Sequence, residues 1–330
     1  MKAKLKGLKN VKAKNVVSAT HVTLEPFVNE HHFPLVVSTD YANMNIAGWM
    51  ASNRTLIDEK LGKYGAILFR GFKVNSVDKF QKFMQYFEGE KLEYKLRSSP
   101  RHAVGDKVYV STKYPKEYAI NMHCESSYAP NHPSKIAFCC LQSAKKGGET
   151  PIADTRKVLS NIPGAIKEKF REKGVKYRRY FSGGSGMSWE EAFQTQDKKV
   201  VVEECRRTGI NYEWQNGNEL VLTWTKKAIW THPHSEEDIW FNHALFFNEN
   251  APGYEDLRTL VETDKLPNNT FYGDGTEISR DEIHELVGAF EKSTVQFGWE
   301  KGDVLLLDNL LMAHGRNPYE GERNIIVSML

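Results

Sequence analysis

Two short segments, far apart in a chain of 330 residues, carry side chains that serve one metal ion only if the fold brings them together. The first is Asn121-Met-His-Cys-Glu-Ser-Ser-Tyr128 and the second is Leu310-Leu-Met-Ala-His-Gly-Arg316. His123 and Glu125 stand two residues apart, and on a β-strand positions i and i+2 point to the same face. Both can then reach one ion from one side, with His314 completing the set from near the C-terminus. Two imidazoles and a carboxylate suit non-haem Fe(II), because they leave octahedral positions open. A His-x-Glu spacing alone is common. Taken in isolation, His123 reads as a hydrogen-bonded core histidine and Glu125 as a solvated charge.

Short strand-like runs recur along the chain: Val108-Tyr-Val110, Ile136–Leu141, Leu220–Trp224, Val304–Leu307 and Asn324–Met329. Three stretches have helical spacing. Val77 to Glu88 follows a capping Ser76, and Arg156 to Lys173 repeats Val158, Ile162, Ile166 and Phe170. Glu277 to Lys292 groups Ile283, Leu286, Val287 and Phe290, with Ser279 placed to cap it. Pro163-Gly164 breaks the second stretch in two. Many short strands with a few flanking helices predict a mainly β chain of α+β class with a closed or sandwiched β-core. No repeat or Pro/Gly/Ser-rich linker interrupts the chain, so residues 1–330 are expected to form a single domain. Residues 174–275 are rich in Trp, His and Gly without strong periodicity, and read as an insertion that walls the active site. The turn chemistry of Asn317-Pro-Tyr-Glu-Gly321 predicts a hairpin that returns Arg323-Asn-Ile-Ile-Val327 beside the strand of His314.

Composition narrows the function classes. A net charge of +3 gives no support for a nucleic-acid surface. The basic cluster Met1 to Lys14 reads as a solvated terminus or, alternatively, as a contact for an acidic partner such as a carrier protein. No signal-peptide core of about seven to fifteen apolar residues follows it. No stretch reaches the roughly eighteen residues that span a bilayer. The expectation is a cytoplasmic protein with no membrane and no nucleic-acid partner. Cys124, Cys139, Cys140 and Cys205 show no framework spacing. Cys124, between the two proposed ligands, would point away from the metal on a strand.

Further segments flank the two halves. Lys135-Ile-Ala-Phe-Cys-Cys-Leu141 and Gly147-Gly-Glu-Thr-Pro-Ile-Ala-Asp154 follow the first. Trp299-Glu-Lys-Gly-Asp-Val-Leu-Leu-Leu-Asp-Asn309 precedes the second, and Gly321-Glu-Arg-Asn-Ile-Ile-Val-Ser-Met329 follows it. With Gly65-Ala-Ile-Leu-Phe-Arg-Gly-Phe72, Ser111-Thr-Lys-Tyr-Pro115 and Trp240-Phe-Asn-His243, the pattern resembles the taurine dioxygenase / clavaminate synthase-like family of Fe(II)- and 2-oxoglutarate-dependent oxygenases. The likeness runs from about Tyr64 to the C-terminus. It favours the branch that hydroxylates amino acids and carrier-bound aminoacyl groups in natural-product pathways.

The resemblance implies a double-stranded β-helix, or jelly-roll, core of clavaminate synthase-like type. It implies Fe(II), with 2-oxoglutarate and O2 as co-substrates. His123, Glu125 and His314 become the metal ligands. Arg323 matches the family's arginine for the remote carboxylate of 2-oxoglutarate, and Thr150 the hydroxyl beside it. A planar guanidinium suits a carboxylate bidentately, whereas the plain alternative for Arg323 is a structural salt bridge. The plain alternative for Thr150 is an ordinary loop residue entering a strand. Asn121, Arg97, Arg101 and Arg316 are candidates for substrate contact: Asn121 alternates with His123 and Glu125 and is expected to face the same cavity, and the three arginines suit an anionic group, with a solvated position the competing reading for each. Asn242 and His243 are expected to pack rather than ligate, and His232 and His234 to sit in an exposed turn. Glu125 argues against a halogenase, which would need an open position there.

The expected reaction is hydroxylation of an unactivated C–H bond of a small polar substrate, an amino acid or a carrier-bound aminoacyl group. Desaturation or cyclisation on the same scaffold, and a metal-binding β-barrel without turnover, are the alternatives. A zinc hydrolase with the same ligands would need no arginine for 2-oxoglutarate.

Overall fold

The computed structural model describes residues 21–27, 29–41, 44, 46–87, 103–105, 108–110, 114–182, 186–254, 262 and 265–330. Two antiparallel-rich sheets form the expected jelly-roll core. The larger runs in the order Thr23–Pro26, Leu35–Ser38, Ala66–Arg70, Val304–Asp308, Lys135–Gln142, Asn324–Met329, Val108–Val110 and Ala103–Gly105. The smaller runs Thr294–Val295, Ile152–Asp154, Met312–Arg316 and Ile120–His123.

Residue parity explains why the larger sheet reads as unbroken apolar runs. Leu68, Phe138, Cys140, Leu305 and Leu307 share one buried cluster with Ile152, Ala153, Met312 and Ala313 of the smaller sheet. Their neighbours Ile67, Phe69, Ala137, Cys139, Val304 and Leu306 enter a second cluster on the opposite face. There they meet Trp49, Met50, Ile57 and Leu61 of helix Ile46–Tyr64 and Phe80 and Phe83 of helix Val77–Met84. A strand covered on both faces needs apolar side chains at every position rather than alternate ones. At about 25 cal/mol per Å² of apolar surface removed from water, these two layers supply the main stabilisation of the core.

The helices begin where capping chemistry places them. Ser76 accepts the Lys79 N–H, and Ser279 with Glu282 forms a capping box at Arg280–Ser293. Pro163 separates Thr155–Asn161 from Gly164–Lys173 as expected.

The predicted hairpin is absent. Asn324–Met329 pairs with Lys135–Gln142 and Val108–Val110 in the larger sheet, whereas Met312–Arg316 pairs with Ile120–His123 and Ile152–Asp154 in the smaller. The connecting turn crosses between sheets, and Tyr319–Glu320 pairs with Lys146–Gly147 on the way. Burial decides the matter. Ile325 to Met329 are all buried, so this strand fits between neighbours in a two-sided layer rather than beside its sequence neighbour.

Residues 174–275 are more regular than their composition suggested. Asn211–Gln215, Glu219–Lys226, Val175–Phe181 and Asn268–Tyr272 form a four-stranded antiparallel sheet in that order. Among the described residues no helix is long and apolar enough to cross a membrane.

Candidate active site

His123 and His314 are register partners on the antiparallel strands Ile120–His123 and Met312–Arg316. Side chains directly opposite each other in such a pair share a face. Glu125 arrives differently from the way its spacing suggested. The strand ends at His123, and Glu125 lies in a turn in which Ser126 takes a φ of 56°. Its Oε2 nevertheless sits 4.0 Å from His123 Nε2. One donor atom from each of His123, Glu125 and His314 lies within 4.8 Å of the others.

This donor set fits a metal ion. Metal–ligand bonds of about 2.1 Å put neighbouring octahedral ligand atoms about 3.0 Å apart. The three donors converge on one point and reach that spacing when their side chains turn toward the ion. His123 Nδ1 is 2.9 Å from the Asn121 carbonyl. As the donor in that bond, Nδ1 carries the ring hydrogen and leaves the Nε2 lone pair on the Glu125 side. The turn that holds Glu125 is fastened from the middle segment. Trp224 Nε1 donates to the Tyr128 carbonyl at 2.8 Å, and Lys226 Nζ donates to the carbonyls of Ser127 and Ala129. Cys124 is buried in the core beneath the turn.

The cluster opens on a cavity of about 380 Å³ that Thr150, Arg316 and Arg323 also line. Arg323 Nε donates to the Gly148 carbonyl at 2.8 Å, and its Nη2 donates to Thr150 Oγ1 at 3.3 Å. Gly148 has a φ of +75°, and a Cβ there would meet Arg323 Cδ at 3.0 Å. The glycine is thus required by both backbone and neighbour. Among the described residues no carboxylate forms an ion pair with Arg323. Burial and the charge of Arg316 push its guanidinium down to about 10. Thr150 Oγ1 also accepts from Trp299 Nε1 at 3.2 Å. With two donors already aimed at its oxygen, the hydroxyl's own hydrogen is left to donate.

The other sequence candidates divide. Asn121 lines the cavity and donates through Nδ2 to the Pro252 carbonyl at 2.8 Å. Arg316 lines it as well, but its terminal nitrogens donate to the carbonyls of Tyr114, Pro115 and Tyr118 at 2.9, 2.7 and 2.7 Å. Its guanidinium therefore holds a loop at the cavity. Arg97 and Arg101 lie outside the described residues. Asn242 is structural, donating to the Ala228 carbonyl and accepting from the Ala244 N–H. His243 packs as expected, with Nδ1 2.6 Å from Ser127 Oγ and its ring 5.7 Å from that of His123. Burial above all pushes it well below its ordinary value.

His232 is a correction. It is buried rather than exposed, 3.3 Å from Asp308 Oδ2 through Nε2 and 3.0 Å from Ser235 Oγ through Nδ1. An inward partner for its imidazole, supplied by a distant strand end, overrides the turn signal of Pro233. His234 is exposed as expected.

Sequence reasoning gave no role to Trp299, which donates to Thr150, or to Tyr319, whose ring lies 5.2 Å from the Arg316 guanidinium and 5.7 Å from that of Arg323. Neither carries a spacing signal, because each acts from a loop or a short bridging strand.

A jelly-roll core with two histidines and a carboxylate facing one cavity is the arrangement of the non-haem iron oxygenases. The chain belongs to the taurine catabolism dioxygenase TauD, TfdA family, whose model matches residues 31–330. The chain is 39% identical over 277 residues to the dapdiamide synthesis protein DdaC of Enterobacter agglomerans, covering 83% of this chain and 84% of that one. It is 29% identical over 315 residues to a clavaminate synthase-like protein of Arabidopsis thaliana, covering 90% and 93% respectively. Among solved structures, PvcB of Pseudomonas aeruginosa, an Fe, alpha-ketoglutarate-dependent oxygenase, superposes with a TM-score of 0.54 at 14% identity, over 95% of this chain and 93% of that one. The protein is accordingly an oxidoreductase, a dioxygenase dependent on Fe(II), 2-oxoglutarate and O2.

Proposed function

We propose that His123, Glu125 and His314 hold the iron, and that Arg323 and Thr150 hold the remote carboxylate of 2-oxoglutarate. The enzyme hydroxylates an unactivated C–H bond of a small polar substrate, an amino acid or a carrier-bound aminoacyl group, in natural-product biosynthesis in the cytoplasm. When bound, iron, 2-oxoglutarate and O2 supply the oxidant for that bond, with release of succinate and CO2.

The observation that carries this reading is Arg323. A largely buried cation without an ion-pair partner among the described residues is costly, and a carboxylate in the cavity offsets that cost. The Thr150 hydrogen donates to the same group. Phe246 and Phe138 pack against the histidines, at 4.5 Å from the His123 ring and 5.1 Å from the His314 ring. They hold the imidazoles in orientation and keep water from their outer faces. Residues 174–275 wall the site, contributing His243, Phe246, Phe247, Tyr254 and Asn268 to the cavity lining. The likeness to a dapdiamide synthesis protein supports a role in natural-product assembly.

Succinate release tests the proposal. The account expects release that requires both Fe(II) and 2-oxoglutarate and that rises with one member of a panel of free and carrier-loaded amino acids, which gains one oxygen atom. Stimulation without oxygen transfer, with loss of two hydrogens instead, would reassign the reaction to desaturation or cyclisation.

A further inference from the structure

We propose that Asn309 is a positioning residue for Glu125, its carboxamide replacing the strand partner that the Glu125 backbone lacks. The inference rests on reading Glu125 as a metal ligand. Glu125 lies beyond the end of strand Ile120–His123, so no β-ladder holds its peptide groups. Asn309 holds both of them. Its Oδ1 accepts the Glu125 N–H at 2.8 Å, and its Nδ2 donates to the Glu125 carbonyl at 3.0 Å.

Two further donor hydrogens of Asn309 are also committed. Nδ2 donates to the Pro133 carbonyl at 2.8 Å, and the Asn309 N–H donates to the Ser134 carbonyl at 2.9 Å. The residue is fully buried, where such bonds are strengthened by the low local dielectric. One acceptor and two donor hydrogens in a single plane are what a carboxamide offers. Aspartate offers no donor when ionised, and glutamine would overshoot by a methylene.

Asn309 also belongs to the turn between strands Val304–Asp308 and Met312–Arg316, the latter carrying His314. Asp308 stiffens that turn by accepting the N–H groups of Leu310 and Leu311 at 2.9 and 3.2 Å. The Asn309 side chain thus ties the turn of the carboxylate ligand to the segment of a histidine ligand. His123 and His314 are already paired through their own ladder. Without Asn309, Glu125 is the ligand whose peptide groups lose their tie to the His314 segment.

The test is titration of Mn(II) into metal-free protein, followed by loss of the free-ion electron paramagnetic resonance signal. Asn309→Ala and Asn309→Asp are compared with wild type and with Glu125→Ala, each well below its thermal midpoint. Asn309→Asp keeps an acceptor for the Glu125 N–H but turns an oxygen toward the carbonyls of Glu125 and Pro133. The expected result is Mn(II) binding about 10- to 100-fold weaker in both Asn309 variants, with the near-ultraviolet circular dichroism of the folded protein retained. A role confined to stability would lower the midpoint and leave the affinity alone. Wild-type affinity in folded Asn309→Ala, or in Asn309→Asp if the alanine variant does not fold, with Glu125→Ala weakened, overturns the positioning role and leaves the ligand reading standing. Wild-type affinity in Glu125→Ala overturns both. Failure of both Asn309 variants to fold also overturns the proposal, in favour of a purely structural residue.

Discussion

His123 and His314 face each other across an antiparallel strand pair, with ring centroids 4.5 Å apart. The strand register places the two side chains on one face. The metal-free protein should therefore keep its fold when either imidazole is removed. His123→Ala or His314→Ala is expected to weaken Mn(II) binding by at least about a hundredfold, since even partners outside the ligand set are worth about 10- to 100-fold. Turnover should vanish with it. Metal content near wild type in either variant would remove that histidine from the ligand set.

Glu125 allows a graded test. Glu125→Asp keeps the charge and donor type but draws the oxygen back by one methylene, so part of the 2-oxoglutarate-dependent activity should survive. Glu125→Ala should retain almost none, and chlorination is not expected to replace hydroxylation. Equal activity in both variants and wild type, at saturating iron, would make Glu125 a plain surface charge.

Arg323→Ala should raise the KM for 2-oxoglutarate while the metal stays bound. A charge-assisted hydrogen bond contributes about 1.5–3 kcal/mol, which corresponds to a rise of roughly ten- to a hundredfold. Gly148→Ala should act in the same direction, because the new Cβ at a φ of +75° presses on Arg323 Cδ. It should also cost about 1–2 kcal/mol of stability through the left-handed backbone. Initial rates against 2-oxoglutarate concentration, together with urea unfolding, separate the two effects.

Acid should destabilise the protein through His132. Burial, and then the charge of Lys226, lower this histidine from 6.5 to about 4, and its ring packs against Trp230 and Phe241. The folded pKa lies below the unfolded one, so the unfolded chain takes up the proton first as pH falls. The stability linked to His132 is present above pH 6.5 and is lost as pH falls toward 4. His132→Phe should flatten that part of the curve. Urea midpoints between these limits that fall equally steeply in variant and wild type would contradict it.

What the sequence revealed follows from which constraints are local. The strands Val304–Asp308 and Lys135–Gln142 were legible because burial on both faces leaves an apolar run at every position. Caps at Ser76 and Ser279 were legible because they involve neighbours only three residues away. That His123, Glu125 and His314 come together was legible in the sequence, but the strand argument for Glu125 failed because the strand ends two residues before it. The hairpin failed because turn chemistry marks a reversal without saying which sheet receives the returning strand. His232 was misjudged because its partner, Asp308, is remote in sequence. The strand Val175–Phe181 was hidden by its charged residues, among them Arg179, which the fold buries beside Leu222 and Asn268.

The central claim is that one cavity holds a metal at His123, Glu125 and His314 and a dicarboxylate against Arg323 and Thr150. A crystal structure with Mn(II) and N-oxalylglycine, read by anomalous scattering, tests it most directly. The account predicts a manganese peak within about 2.3 Å of a donor atom from each of the three ligands, allowing for metal–ligand bonds of ordinary length. The remote carboxylate of the inhibitor should lie in hydrogen-bond contact with Arg323 and Thr150. Manganese bound elsewhere, or a carboxylate that leaves Arg323 without a partner, would contradict it.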